Sequence, residues 1–123
     1  MEFQDVVRRR RMVRNFEDRE IPQATLDRIL ANALHAPSAG FSQGWAFLVL
    51  QGEDKTRFHD VTFPDNAQGS FRWDGVFNAP VVIVCLSHMD AYLDRYAEGD
   101  KGWTDRDPQR WPVPYWDIDT GFA

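Results

Sequence analysis

The chain has 123 residues, the size of one ordinary domain, and 43% of them are hydrophobic, which suffices for a packed core and argues against disorder of the whole chain. Its net charge of -5 and its pI near 5.0 argue against a general nucleic-acid or anionic-membrane surface. No signal peptide is visible, and the longest apolar runs fall far below the ~20 residues that cross a bilayer. We therefore expect a single soluble, cytoplasmic domain over 1–123.

The first predicted element is a short helix that ends in a cluster of arginines. Phe3, Val6 and Val7 recur at helical spacing, and the cluster that follows comprises Arg8, Arg9, Arg10, Arg11 and Arg14. Positive side chains suit the C-terminus of a helix, and a solvated basic turn would need no ligand. Close arginines nevertheless repel one another, so we favour the alternative in which the cluster holds an anion, with a phosphate-bearing cofactor as the first candidate.

The second predicted element is a core helix. Pro22 stands where a helix can begin, and Pro37 stops an apolar stripe at i, i+3, i+4, i+7 and i+8 formed by Leu26, Ile29, Leu30, Ala33 and Leu34. A loop of small and polar residues follows over 38–44. The apolar run from Trp45 to Leu50 then predicts a strand covered on both faces.

The middle of the chain predicts a turn, a weak helix and a second strand. The turn is expected over Gly52 to Asp54, the helix over Lys55 to Thr62, and the buried strand over Val81 to Leu86. Cys85, the sole cysteine, lies in that strand, so we favour a small buried side chain over a reactive thiol.

Two further helices are expected on either side of a long irregular segment. Asp90 to Tyr96 predicts a short helix, and Tyr115 to Ala123 predicts the opening of another. Between them, Glu98 to Pro114 mixes Gly and Pro with Trp103 and Trp111 and is longer than a usual connection. The two tryptophans either pack on the domain or belong to a lid over a substrate pocket, and the sequence leaves both alternatives open.

Several other patterns favour structural roles over chemical ones. The three histidines are widely spaced and lack an accompanying ligand pattern, so we predict no metal site. The chain has neither a Gly-x-Gly-x-x-Gly fingerprint nor a Gly-Lys-Ser/Thr loop. Asp117 and Asp119 would lie about 200° apart around a helix, so capping or solvation is favoured over a carboxylate pair.

Two segments taken together resemble the flavin-dependent nitroreductase family. Residues 10–16 read Arg-Arg-Met-Val-Arg-Asn-Phe and resemble the family's opening Arg-Arg-Ser-x-Arg-x-Phe. Residues 36–47 resemble its block Ala-Pro-Ser-Ala-x-Asn-x-Gln-Pro-Trp-x-Phe, with a helix of similar length between the two. Residues 79–84 and 119–123 are also similar, so the resemblance spans nearly the whole chain.

The resemblance implies an α+β fold, a nitroreductase-like α/β sandwich in which helices flank a mainly antiparallel central sheet. It implies an FMN-dependent oxidoreductase that forms a homodimer with FMN at the subunit interface. NAD(P)H would reduce FMN, and a nitroaromatic, a quinone or a similar electron-poor small molecule would take the electrons. Because this chemistry belongs to the flavin, the resemblance implies no catalytic side chain.

The first motif would contact the phosphate end of FMN. Carried over residue by residue, the resemblance places Arg10 and Arg14 on the phosphate and ribityl chain, with Arg11 assisting through its backbone or side chain. Met12 stands where the family usually has Ser, so only its backbone could contribute.

The second motif would lie against the isoalloxazine of the FMN bound by the partner subunit. Its small residues allow close backbone approach, and they are Pro37, Ser38, Ala39 and Gly40. Gln43 would be near the polar edge of the flavin. Phe41 replaces the family's usual Asn and so exchanges a hydrogen-bonding contact for an aromatic face, while Gly44 replaces the common Pro.

By the resemblance, family domains usually continue beyond the position of Ala123, so we expect this sequence to lack roughly a third of a family domain. We expect a fragment, in preference to a remainder on a separate chain or a reduced domain, because so short a final helix would not hold itself folded.

Two alternatives to an enzyme remain. One is a flavin-storing protein without turnover, in which Phe41 and the segment between Trp103 and Trp111 cover the isoalloxazine. The other is a non-flavin dimerisation module that holds an acidic partner, which the second motif disfavours.

Overall fold

The computed structural model describes residues 2–63 and 72–123. These residues form five α-helices and two strands, in the order α1 Phe3–Arg9, α2 Gln23–Ala33, β1 Trp45–Gln51, α3 Gly52–Thr62, β2 Val81–Ser87, α4 Met89–Ala97 and α5 Tyr115–Phe122. Short 3₁₀ turns cover Ala39–Phe41, Asp74–Asn78 and Pro108–Arg110. The chain divides into two compact units, residues 1–20 with 51–82 and residues 21–50 with 83–123. The expectation of one domain over 1–123 stays a prediction.

The predicted helices are confirmed, and one predicted turn is wrong. The helices expected near the N-terminus, after Pro22, over 55–62, over 90–96 and from Tyr115 all form. Gly52, expected in a turn, instead begins α3, whose first turn contains Glu53 and Asp54. Carboxylates there complement the positive end of a helix, so the acidic pair favours a helix start as well as a turn.

The two strands pair in an antiparallel sheet. The N–H of His88, just after β2, donates to the carbonyl oxygen of Gly44, just before β1, at 2.8 Å. Alternate side chains of β1 are exposed, and the last residues of β2 are exposed as well. The prediction of strands covered on both faces is therefore wrong for the described chain, because a continuous apolar run does not reveal how many faces are covered. Cys85 is exposed rather than buried for the same reason.

The first unit packs α3 against the 3₁₀ turn at 74–78. The Lys55 ammonium donates to the carbonyl oxygen of Ala79 at 2.9 Å, and the His59 ring meets the Phe77 ring edge-on at 5.1 Å. The N–H of Phe16 donates to the carbonyl oxygen of Gly75 at 2.9 Å, so the chain after the arginine cluster is fixed to this turn. A side chain at Gly75 would overlap the side chain of Asn15, so Asn15 would have to shift to accommodate it.

The second unit has its core around α4. Tyr92, Leu93 and Trp111 are buried together, and Trp103 packs against the cluster. The Tyr96 ring lies 4.4 Å from that of Trp111 and 5.0 Å from that of Trp103, measured between centroids. Of the two alternatives for the 98–114 segment, the structure therefore shows the one in which its tryptophans pack on the body of the chain. None of the described helices combines the length and apolar character that crossing a membrane requires.

Candidate functional site

The loop that carries the second motif has an unusual backbone. The φ angle is positive at Gly40 (61°), Phe41 (57°) and Gln43 (50°). Glycine adopts this left-handed region at little cost, whereas for Phe and Gln it is a strained conformation. Two internal bonds support the loop, from the Gln43 N–H to Ser38 Oγ at 2.9 Å and from Ser42 Oγ to the Ala39 carbonyl oxygen at 2.7 Å.

Side chains from α4 and α5 hold this loop from outside. Asp119 Oδ2 accepts hydrogen bonds from the Ala39 N–H at 2.7 Å and from Tyr92 Oη at 2.9 Å. Arg95 Nε donates to the Gly40 carbonyl oxygen at 2.9 Å. Asp119 and Arg95 thus fix two consecutive residues of the loop, and Tyr92 holds the Asp119 carboxylate in place.

Asp119 is 5% exposed, so the expectation of capping or solvation is wrong for this residue. Its carboxylate bridges two elements far apart in sequence, and buried charges of this kind persist only when they are hydrogen-bonded. Burial raises the pKa of the Tyr92 hydroxyl well above its usual value, and the hydrogen bond to Asp119 raises it further. Tyr92 therefore remains a protonated donor. Asp117 differs: it is exposed and accepts from Ser87 Oγ at 2.6 Å.

The Arg95 guanidinium is itself fixed by acidic neighbours. Its two terminal nitrogens donate to the two carboxylate oxygens of Asp100 at 2.8 and 2.9 Å, and Nη1 also lies 3.2 Å from Glu98 Oε2. The hydrogen bonds from Arg95 lower the pKa of Asp100 to about 2. A planar guanidinium held on both sides in this way presents its Nε in one direction, toward Gly40.

Both glycines of the loop stand where α4 approaches closely. A Cβ at Gly40 would lie 2.6 Å from Tyr96 Cε2. A Cβ at Gly44 would lie 2.6 Å from Tyr92 Cε2 and 2.8 Å from the His88 carbonyl oxygen. Contacts this short do not occur between real atoms, so any side chain at either position requires a shift of the loop or of the helix.

An open groove of about 350 Å³ lies at the end of the loop, where β1 begins and β2 ends. Its lining combines small, aromatic and polar residues, namely Gln43, Gly44, Trp45, Ala46, Leu86, Ser87, His88 and Ala91. Among the other residues of the second motif, Pro37 is exposed, whereas Ser38, Ala39 and Gly40 are half-buried. Phe41 is 76% exposed and does not contribute to the local core.

The arginine cluster lies in the first unit. Arg10 caps the C-terminus of α1, with its N–H bonded to the Val6 carbonyl oxygen, and its exposed side chain has no ion pair among the described residues. Arg11 Nη1 turns back to the carbonyl oxygens of Arg8 at 2.5 Å and of Arg10 at 2.9 Å. The Arg14 guanidinium lies 4.9 Å from the centroid of the Trp73 ring, while Met12 is exposed.

The cluster therefore contains arginines in different situations. The Arg11 guanidinium donates to carbonyl groups at the C-terminus of α1, an interaction that basic side chains at a helix end commonly make. Arg10 keeps its charge available to an anion, and Arg14 stacks on an aromatic ring. Among the described residues there is no group of three or more His, Cys, Asp and Glu side chains suited to a metal ion.

Comparison with known proteins adds a decisive observation to this geometry. The sequence profile of the Nitroreductase family matches residues 7–120, nearly the whole chain. The chain belongs to the nitroreductase family. This confirms the resemblance seen in the two motifs, which both fall in the matched region.

Relatives of this nitroreductase-family chain agree with that assignment. A Methanothermobacter thermautotrophicus protein, assigned as an NADH dehydrogenase/NAD(P)H nitroreductase, is 31% identical over 86 residues, which cover 69% of this chain and 41% of the relative. A Staphylococcus epidermidis structure, assigned as an NAD(P)H:FMN oxidoreductase, has a TM-score of 0.64 at 17% identity. The aligned region covers 98% of this chain and 64% of the Staphylococcus chain. The structure of an Exiguobacterium sibiricum protein, assigned as a nitroreductase in complex with FMN, has a TM-score of 0.63 at 25% identity, over 99% and 65% of the two chains.

These likenesses confirm the predicted α+β, nitroreductase-like fold. This chain spans less than half of the archaeal relative and less than two thirds of either solved protein. The matches do not test individual site residues, so the roles predicted for the two motifs stay predictions.

Sequence reasoning missed the side chains that shape the second motif: Tyr92, Arg95 and Asp119. Two signals were present. Tyr92 and Arg95 are three residues apart on a predicted helix and therefore share a face. Asp119 begins a segment that resembles the family, and a carboxylate in such a segment is a candidate anchor for a backbone N–H.

Proposed function

We propose that the protein is an FMN-dependent oxidoreductase that uses NAD(P)H and reduces a nitroaromatic, a quinone or a similar electron-poor small molecule. The observation that carries the proposal is the family match over residues 7–120, together with the likeness to a 25% identical protein in complex with FMN. When bound, FMN supplies the redox chemistry by accepting a hydride from NAD(P)H and passing electrons onward. The chain's own residues bind and orient it.

The first motif is proposed to hold the phosphate and ribityl chain. The exposed Arg10 guanidinium fits this role because it is a strong, permanently charged donor with no ion pair among the described residues. Arg14 is the second proposed ligand, and its stacking on Trp73 limits its side-chain freedom. Arg11 and Met12 are proposed to contribute mainly through their backbone, since the Arg11 guanidinium bonds to carbonyl groups and Met12 has no polar hydrogen.

The second motif is proposed to receive the isoalloxazine of the FMN that the partner subunit binds, in a homodimer. Pro37, Ser38, Ala39 and Gly40 offer a backbone with small side chains, and Gln43 offers an exposed amide. The dimer is supported by the apolar side chains of α1, which are more than half exposed: Phe3, Val6 and Val7. Such side chains on a soluble protein often belong to an interface. The molar mass in solution, by light scattering, tests this part.

Arginine variants test the phosphate site. Arg10→Ala and Arg14→Ala should each weaken FMN binding by roughly tenfold to a hundredfold, because each removes charge-assisted hydrogen bonds. Arg9→Ala is the matched control, since Arg9 is an exposed arginine in the same cluster that we assign to the helix end. Titration of FMN fluorescence measures all three. An equal effect of Arg9→Ala and Arg10→Ala would show a general field of positive charge in place of a specific site.

Turnover separates the enzyme from the storage alternative. The storage alternative relies partly on Phe41, whose ring is exposed, and partly on the segment between Trp103 and Trp111. Trp111 is buried in the core of its unit, which leaves that segment less able to cover a flavin. The test is anaerobic addition of NADH or NADPH to the flavin-loaded protein. Loss of the absorbance at ~450 nm within seconds supports the enzyme, whereas a persistent flavin band supports storage.

A cytoplasmic location stays a prediction from the sequence.

A further inference from the structure

The carboxylate of Asp119 connects three elements of the second unit. It lies on α5, and one of its oxygens accepts from both the Ala39 N–H of the loop and Tyr92 Oη of α4. The carboxylate is buried, and a buried charge is costly unless its hydrogen bonds compensate for the loss of water. The Asp119 carboxylate therefore depends on these two donors, so its position is coupled to that of the loop.

The loop needs such support because its backbone is strained. Phe41 and Gln43 have left-handed φ angles, and strained residues of this kind persist only where the surroundings determine their conformation. Asp119 fixes the N–H of Ala39, the residue before Gly40, and Arg95 fixes the carbonyl oxygen of Gly40 itself. With both sides of Gly40 held, the chain direction into Phe41 is set.

We propose that Asp119 is a positioning residue for the flavin: through Ala39 and Tyr92 it selects the loop conformation that receives the isoalloxazine ring. The proposal rests on the proposed function, because the loop matters to a flavin only if a flavin binds. Asp119 itself need not touch the cofactor. Arg95 assists from the other side of Gly40, and its own partner Asp100 keeps it in place.

A matched pair of substitutions on α5 tests this role. Asp119→Asn keeps the shape of the side chain but removes its charge, whereas Asp117→Asn makes the same change at an exposed carboxylate that bonds to Ser87. If the loop then occupies its competent conformation about a tenth of the time, FMN affinity falls about tenfold. Asp117→Asn should stay within about twofold of the wild type, as exposed polar contacts contribute little.

The ratio of FMN to riboflavin affinity distinguishes positioning from other effects. Asp119 acts on the loop that faces the ring, so Asp119→Asn should weaken both ligands by the same factor and leave the ratio unchanged. Arg10→Ala should lower the ratio, because riboflavin lacks the phosphate. In ¹⁵N NMR spectra of the flavin-free protein, the Ala39 amide proton should move upfield in Asp119→Asn and not in Asp117→Asn, since it loses a carboxylate acceptor.

The outcomes distinguish failure of the proposed function from failure of the positioning role. If the wild type binds neither FMN nor riboflavin, the proposed function is overturned and the positioning role falls with it. If the wild type binds FMN and Asp119→Asn binds it equally well, only the positioning role is overturned. Should Asp119→Asn fail to fold, Tyr92→Phe replaces it. That variant deletes one hydroxyl, and it should weaken both flavins about threefold, while unchanged affinity for both would refute the role.

Discussion

The substitution Gly40→Ala tests how closely the second motif packs on α4. Gly40 has a φ of 61°, and alanine in the left-handed region costs about 1 kcal/mol more than glycine. The new Cβ would lie 2.6 Å from Tyr96 Cε2. The Tyr96 ring is held between Trp103 and Trp111 and cannot move aside freely, so overpacking adds about 1–3 kcal/mol. We expect the free energy of unfolding to fall by about 2–4 kcal/mol.

Gly102→Ala is the control that isolates the backbone cost. Gly102 has a φ of 71°, and nothing lies within 4 Å of the position its Cβ would take. This variant should lose only about 1 kcal/mol. Guanidinium chloride unfolding, followed by tryptophan fluorescence, measures both. If Gly40→Ala costs no more than Gly102→Ala, the loop does not pack against Tyr96 and the reasoning about its fixed conformation is refuted.

Three further predictions concern stability. Phe41→Asn should raise the free energy of unfolding by about 0.5–1 kcal/mol, since Asn tolerates a left-handed φ and the lost ring is exposed; no gain in denaturant midpoint would argue against strain at Phe41. Gly121→Ala should raise it by about 0.5–1 kcal/mol, because Gly121 lies in α5 with free space for a Cβ; a loss, measured in the same way, would mean that the space is filled. Burial and the nearby Lys55 lower the pKa of His59 below 6.5 in the folded protein, so the unfolded chain binds the proton more readily. The free energy of unfolding should therefore be highest above pH 6.5 and fall as the pH drops below that value. Denaturant midpoints at pH 7.5 and 5.5 should differ less in His59→Phe than in the wild type, and an equal difference would contradict this cause.

The elements of the fold were largely predictable because they depend on local patterns. The apolar stripe of α2 and the aromatic face of α4 predict helices whatever those faces pack against, and the apolar run from Trp45 to Leu50 predicts a strand. Burial was less predictable, since it depends on what covers each face. Cys85 illustrates this: its neighbours in sequence are apolar, yet it lies in the exposed half of β2.

The candidate site was predictable only where it is carried by motifs. The two segments that resemble the nitroreductase family led to the right family, because their residues are contiguous. The partner of the second motif was not predictable: Asp119 is 80 residues away from Ala39, and the family-like segment that it begins does not reveal which backbone group its carboxylate contacts. Long-range hydrogen bonds of this kind become visible only when the chain is folded.

The relative affinity for FMN and riboflavin is the most direct test of the central claim, that the protein binds FMN through a specific phosphate site and a separate loop for the ring. Both dissociation constants are measured by fluorescence titration on one preparation of the purified protein. We predict that FMN binds at least about tenfold more tightly than riboflavin, because only FMN engages Arg10 and Arg14. Equal affinity for the two flavins, or binding of neither, would contradict the claim.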